Sequence, residues 1–221
     1  EVYAQIELDL IYAADNLPLT QTQTGRVTKG AAQALLGKVY LYQNKFALAA
    51  PVLDDVISSG VYDLVSDYST LFENDNENNV ESVFEIQYTD VEGAGFGCLQ
   101  CSEGNVAIGF NGPRNFNGPL FESGFSFNVP TQEVFDAFDQ DDARREFAIL
   151  DIVAFAQANT DFNGGAGVTF TEGFEHTGYF NRKYIPRVGD TNIGDQNLTN
   201  PGNYRAIRFA DVLLMGAEAH N

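Results

Sequence analysis

The sequence predicts a mainly α-helical protein, in which a scaffold of paired helices carries long irregular loops and a few short strands. Three observations carry this. Apolar residues recur at helical spacing near both ends and between residues 25 and 60. Strict alternation, the mark of a half-buried strand, is confined to short stretches. Two long segments are rich in Gly and Asn and follow no helical period, as loops do. The chain has 221 residues, which suits one large domain or two small ones, and 44% of them are hydrophobic, enough for a core.

The opening "EVYAQIELDLIYAADNLP" reads as an amphipathic helix over 2–17. Ile6, Leu10, Ala13 and Leu17 form its stripe and Pro18 marks its exit. It lacks the charged tip and apolar run of a signal peptide. Residues 25–60, "GRVTKGAAQALLGKVYLYQNKFALAAPVLDDVISSG", are the clearest architecture. Thr28 is the expected N-cap. A first helix places Ala32, Leu35, Val39 and Tyr42 on one face; "QNK" turns; a second helix places Phe46, Ala50, Leu53 and Ile57. Gly60 is the expected C-terminal glycine. The hairpin has the tetratricopeptide length of about 34 residues. Gln33 stands where that repeat has Trp, with Leu36, Gly37, Tyr40 and Ala49 at its other spacings. Gly37 lets the helices approach closely, whereas Pro51 is expected to kink or shorten the second one.

"ENDNENNVE" is a polar turn without the glycine and glutamate offsets of a calcium loop. "ESVFEIQY" alternates, with Phe84, Ile86 and Tyr88 on one side and Glu85 and Gln87 on the other, and reads as a strand over 82–88. Residues 92–128 are rich in Gly, Asn and Phe without helical period; so long a loop in a compact domain is usually functional or disordered, and its aromatics argue against disorder. "VPTQEVFDAFDQDDARREF" returns to helix, with Thr131 as cap, Val134, Phe135 and Phe138 facing inward, and Asp141, Asp142, Arg144 and Arg145 crowding its end. A second Gly-rich stretch covers 160–180, an extended piece follows at "YFNRKYIPR", and a polar loop leads to a last helix in "NYRAIRFADVLLMGAEAHN". There Ile207, Ala210, Leu214 and Ala217 mark the apolar face. Arg208 can meet Asp211, and Glu218 can meet Arg182 or Lys183, because charges among apolar neighbours need partners.

Net charge is −19, from 31 acidic and 12 basic residues. This excludes nucleic acid, whose phosphates demand cationic surface, and anionic membrane surfaces. No apolar run approaches the ~20 residues of a membrane-spanning helix. His176 and His220 lack metal spacing, and no nucleophile elbow, Walker loop or zinc-protease motif appears, so neither metal nor cofactor is expected. Cys98 and Cys101 form a C-x-x-C, but glycines precede it and no helix follows, which argues against a redox motif. Zinc would need two further ligands. A structural disulfide in an oxidising compartment is the better reading, with two free thiols as the alternative.

An aromatic sugar platform is the sharpest functional candidate. Phe96, Phe110, Phe116, Phe121, Phe125 and Phe127 interleave with Asn111, Arg114, Asn115 and Asn117. Flat rings stack on sugar C–H faces, while amides and guanidinium bond hydroxyls. The alternative is a satellite core pinning the loop down. Phe110, Phe116 and Phe121 sit among Gly, Asn and Pro, which favours a surface position. The expected ligand residues are therefore Phe110, Asn111, Arg114, Phe116, Asn117 and Phe121, with Tyr179 outlying.

Five segments together carry a resemblance: "YAQIELDLIYAADNLP", "GRVTKGAAQALLGKVYLYQNKF", "ENNVESVFEIQY", "PTQEVFDAFDQDDARREF" and "NYRAIRFADVLLMGAEA". In this order they resemble the core of the SusD/RagB family, surface nutrient-binding lipoproteins of Bacteroidetes, over nearly the whole chain. The resemblance implies one SusD-like domain on a tetratricopeptide-like scaffold, with long segments building a glycan-binding face. It implies a binder and not an enzyme, one that delivers oligosaccharide to a SusC-like TonB-dependent transporter at the outer membrane. It also implies that this stretch is the middle of a protein about twice as long, truncated at both ends. The family's acylated cysteine has no counterpart here, so the membrane would be met only through a lipid anchor outside this stretch. The implied cell-surface location favours a Cys98–Cys101 disulfide. Two other readings predict different behaviour. A tetratricopeptide adaptor for a protein peptide would want a concave helical groove without long aromatic loops, and a glycan-degrading enzyme would release soluble products.

Overall fold

A computed structural model describes residues 1–90, 97, 103–190 and 198–221. The helices and strands of the first half are α1 (Val2–Asn16), α2 (Lys29–Leu41), α3 (Phe46–Ile57), β1 (Ser82–Ile86), α4 (Val106–Asn111) and β2 (Arg114–Asn117). Those of the second half are α5 (Gln132–Asp136), α6 (Arg144–Ala148), β3 (Ile149–Asp151), α7 (Ile152–Ala158), a distorted turn α8 (Phe162–Gly165), β4 (Thr169–Thr171), β5 (Tyr179–Asn181), β6 (Tyr204–Arg208) and α9 (Phe209–His220). The protein is mainly helical, as expected. Its chain forms two compact units: Glu1–Ser66 with Asn78–Ile86 and Tyr204–Asn221, and Asp67–Glu77 with Gln87–Asn203.

The first unit is built on the hairpin. The Thr28 hydroxyl accepts the Ala31 N–H at 3.2 Å, satisfying one of the donors that a helix start leaves orphaned. Asn44 turns the chain at φ +56° and Gly60 ends the second helix at φ +69°. A Cβ built on Gly37 would lie 2.5 Å from Leu53 Cδ2, so the close approach that needs glycine is real. Pro51 sits inside α3 without ending it. The predicted inner face of α2 is corrected. Ala32 and Val39 are buried, but Leu35 and Tyr42 are exposed, and Ala31, Ala34, Leu36, Gly37 and Tyr40 are buried instead. The helix packs against α1, α3, α9 and the β1–β6 pair, so its small-residue body makes contact nearly all round and no single stripe governs. In α3 the buried set is likewise Ala49, Leu53 and Val56.

Two further expectations change for one reason. Strand β1 pairs antiparallel with β6, Ser82 opposite Arg208 and Ile86 opposite Tyr204. Its buried face holds Glu81, Val83 and Glu85, while Ile86 is exposed, the opposite phase to the hydropathy pattern. The carboxylates can turn inward because β6 supplies their partners: Arg208 pairs with Glu81, and Arg205 lies 3.8 Å from Glu85, both side chains 1% exposed. Residues 204–208, assigned by spacing to the last helix, are thus a strand, and α9 starts at Phe209. Its inner face is Phe209, Val212, Met215 and Gly216, with Leu214 71% exposed. Asp211 pairs with Lys38 at 3.7 Å and not with Arg208.

In the second unit β2 pairs with β4 and β3 with β5, both antiparallel. Its core gathers Phe116, Phe121, Leu150, Ile152, Phe180 and Ile185. The single helix expected after Thr131 is two. Thr131 does cap α5, accepting the Val134 N–H at 3.4 Å, although Val134 itself points out. The first ends at Asp136, and the second starts at Arg144, where Asp142 accepts the Arg144 N–H at 2.9 Å and pairs with its guanidinium at 2.6 Å. Arg182 donates to the Glu146 carbonyl at 2.9 Å, and Lys183 lies over the Phe72 ring at 5.2 Å. Among the described residues no helix is long and apolar enough to cross a membrane, and no group of three His, Cys, Asp or Glu side chains is arranged to hold a metal ion.

Candidate ligand-binding face

The Gly/Asn/Phe-rich stretch is not structureless: its described part contains α4 and β2 and folds back on itself. The Phe110 carbonyl accepts two N–H groups, from Phe125 at 3.3 Å and Phe127 at 3.0 Å. Gly124 donates to Pro113 at 3.0 Å and Ser126 to Gly112 at 2.9 Å. This return requires glycine, since a Cβ on Gly124 would lie 2.4 Å from the Gly112 nitrogen. The shared carbonyl draws three rings together. Phe110 meets Phe125 edge-on at 5.2 Å and Phe127 at 5.8 Å, and Phe125 and Phe127 lie nearly parallel at 6.5 Å. Arg114 closes the cluster: its Nη2 donates to the Phe125 carbonyl at 3.0 Å, and its guanidinium lies 5.9 Å from that ring's centre.

A second loop joins this cluster. Strand pairing sets Arg114 opposite Thr171 and Asn117 opposite Thr169. Asn115 donates to the Thr171 hydroxyl at 3.1 Å. Two residues on, Gly173 abuts Ser126, where a Cβ would lie 3.0 Å from the serine Cβ. The next residue is Phe174, 93% exposed, beside the loop that carries Phe127, itself 55% exposed. Two uncovered phenylalanines on adjoining loops, with Arg114 alongside, make an apolar surface with a planar hydrogen-bonding group at its margin.

The structure sorts the residues expected from sequence. Phe110 and Arg114 belong to this face; Asn117 is exposed but sits opposite Thr169, toward the other end of the strand pair from Phe174. Phe116 and Phe121 do not offer rings to solvent; they are core, 6.4 Å apart and both against Phe155. Glycine and asparagine neighbours serve here for close backbone approach: a Cβ on Gly118 would lie 2.4 Å from the Phe116 ring. Asn111 is buried and donates to the Tyr184 carbonyl at 3.4 Å. Tyr179 is buried, stacks on Phe135 at 4.3 Å and donates to Gln132 at 3.2 Å. Phe96, Cys98 and Cys101 lie outside the described residues. Sequence reasoning did not select Phe125, Phe127 or Phe174. The first two had only their place in a Phe-rich stretch as a signal, since Ser126 between them takes φ +58° and strand alternation does not apply there. Phe174 carried none.

The SusD family profile matches residues 65–221. The chain belongs to the SusD family. SusD-like protein P2 of Formosa agariphila is 30% identical over 229 aligned residues, covering 100% of this chain and 43% of that protein. A structure of a laminarin-binding SusD-like protein superposes with a TM-score of 0.89 at 39% identity, covering 99% of this chain and 50% of its own. Surface glycan-binding protein A of Bacteroides thetaiotaomicron, solved with laminarihexaose, gives a TM-score of 0.89 at 25% identity over 99% of this chain and 49% of its own. This SusD-family chain therefore spans about half the length of the relatives it matches, and its helical scaffold is theirs.

Proposed function

We propose that the protein is a non-catalytic glycan binder whose described contribution to the ligand face is Phe127 and Phe174, backed by Phe110 and Phe125 and flanked by Arg114. The exposure of Phe174 carries this reading: a ring left 93% in water costs solubility and folds nothing. Beta-linked glucans are the first ligands to test, since two relatives are described by laminarin or laminarihexaose. The face would work at the outer surface of the outer membrane, presenting oligosaccharide to a TonB-dependent transporter, as the family membership supports. Affinity electrophoresis of the full chain in laminarin gels tests the reading. Retardation is expected, and replacing both Phe127 and Phe174 by Ala should abolish it without lowering the melting temperature by more than a few degrees. Equal retardation of the double variant would reject the face. Release of reducing sugar from laminarin would reject the non-catalytic assignment.

A further inference from the structure

A second feature of the Asp67–Glu77 and Gln87–Asn203 unit has no part in that face. Helices α5, α6 and α7 with strand β3 enclose an open cleft of about 520 Å³. That lies inside the roughly 300–1,000 Å³ range of small-ligand sites. Leu150 and Phe155 give it an apolar floor, and α7 keeps it open by turning Ala154 and Ala158 toward it, one helical turn apart. Arg145, Arg182, Glu146, Asp151 and Gln140 supply its polar groups.

The arginines of this cleft, like Arg26 and Arg114, are not held by a carboxylate, whereas four others in this acidic chain are. Arg144, Arg187, Arg205 and Arg208 each meet a carboxylate. Among the described residues, Arg145 and Arg182 form no ion pair, although Glu146 and Asp151 line the same cleft. They rest instead on rings. Arg145 lies 4.0 Å from the centre of Phe135, and Arg182 4.9 Å from that of Phe147. Tyr179 stacks on Phe135 at 4.3 Å. Two groups this close to one ring cannot share a face, so Phe135 lies between Tyr179 and the Arg145 guanidinium. A ring contact leaves a guanidinium's other N–H donors available; Arg182 spends one on the Glu146 carbonyl at 2.9 Å and keeps the rest. Burial, with Arg187 nearby, pushes the Arg182 guanidinium below its ordinary value, with Glu73 and Glu146 opposing. Asp151 spends one oxygen on the Ala154 N–H at 2.9 Å and keeps acceptor capacity.

The cleft thus holds two cations and two anions that do not neutralise each other by contact. A simple anion would meet Glu146 and Asp151 as well as the arginines. A neutral polyol meets donors and acceptors together, with an apolar floor for its ring. We infer that this cleft is a second sugar subsite, binding one or two neutral hexose units through hydroxyls shared between the Arg145 and Arg182 guanidiniums and the Glu146 and Asp151 carboxylates. The choice of a sugar as the polyol rests on the proposed glycan-binding function.

The test is ligand-observed NMR titration of the full chain with laminaribiose, with glucuronate in parallel. Wild-type protein should bind laminaribiose, and Arg145→Gln should weaken binding about tenfold or more, the usual loss of a hydrogen bond to a charged group. Ala154→Leu, which fills the cleft and leaves every polar group in place, should do the same. Replacing Phe127 and Phe174 together by Ala should leave this binding intact. Laminaribiose binding unchanged in Arg145→Gln and in Ala154→Leu overturns the subsite while leaving the platform reading standing. So does binding lost only in the Phe127/Phe174 variant, or a preference for glucuronate. If wild-type protein binds neither laminaribiose nor laminarihexaose, the glycan reading falls and the subsite with it.

Discussion

Phe121→Ala and Phe127→Ala should separate cleanly, although the two residues lie six positions apart in one Phe-rich loop. Phe121 is 2% exposed. Its ring packs against Phe155 at 5.5 Å and Phe116 at 6.4 Å, with the Arg187 guanidinium 5.0 Å from its centre. Burying such a side chain contributes about 1.5–3 kcal/mol. Truncation also leaves a cavity between two rings and a guanidinium, which brings the expected cost to about 3–5 kcal/mol. For a chain of this length that corresponds to a fall of about 10 °C in Tm. Phe127 is 55% exposed, so Phe127→Ala returns little apolar area to water, and the loss should stay near 1 kcal/mol or below. Melting followed by circular dichroism reports the first quantity, and retardation in laminarin gels reports ligand binding. Phe121→Ala should melt early and bind laminarin normally well below its Tm; Phe127→Ala should melt like wild type and bind weakly. A Phe121→Ala variant that keeps its Tm and loses laminarin would refute the argument, since that ring would then be acting at the surface.

Gly37→Ala should destabilise by about 1–2 kcal/mol despite alanine's better helix propensity, because the new methyl overlaps Leu53 in a closed core. A stabilised variant in urea titrations would contradict the close approach of α2 and α3. Glu85→Ala should cost about 3–5 kcal/mol by removing the carboxylate that faces buried Arg205, and Glu85→Gln, which also removes the charge, should cost nearly as much; a Glu85→Gln urea midpoint close to wild type would argue against an ionic role. Lys45, and then Gln43, donate to Glu7 at 2.6 Å and hold its carboxyl below the usual glutamate range. Its contribution is therefore complete above the unfolded-state value and is lost as pH falls through the lower folded-state one. The acid limb of the stability profile should be shallower in Glu7→Gln, and an unchanged limb would show the contact to be idle.

Local chemistry was enough for the helical hairpin. Thr28, Gly37 and Gly60 each act through the backbone within a turn or across one contact, so their roles are written in residue type and spacing. The same holds for the helix over 2–16 and for the break in composition after residue 90. The five motifs of the resemblance named the family for the same reason. What the sequence could not determine is which neighbour each face meets. Glu81 and Glu85 turn inward only because arginines more than a hundred residues away lie on the paired strand, and that pairing makes 204–208 a strand and shifts the inner face of α9. Phenylalanine has the same hydropathy whether it packs or projects. Phe116 and Phe121 became core because Phe155 and Phe180 come to cover them, while Phe127 and Phe174 stayed bare because none of the described residues of their unit folds over them. Burial is a property of what arrives from elsewhere in the chain, so only the tertiary structure could divide the aromatic residues into core and candidate site.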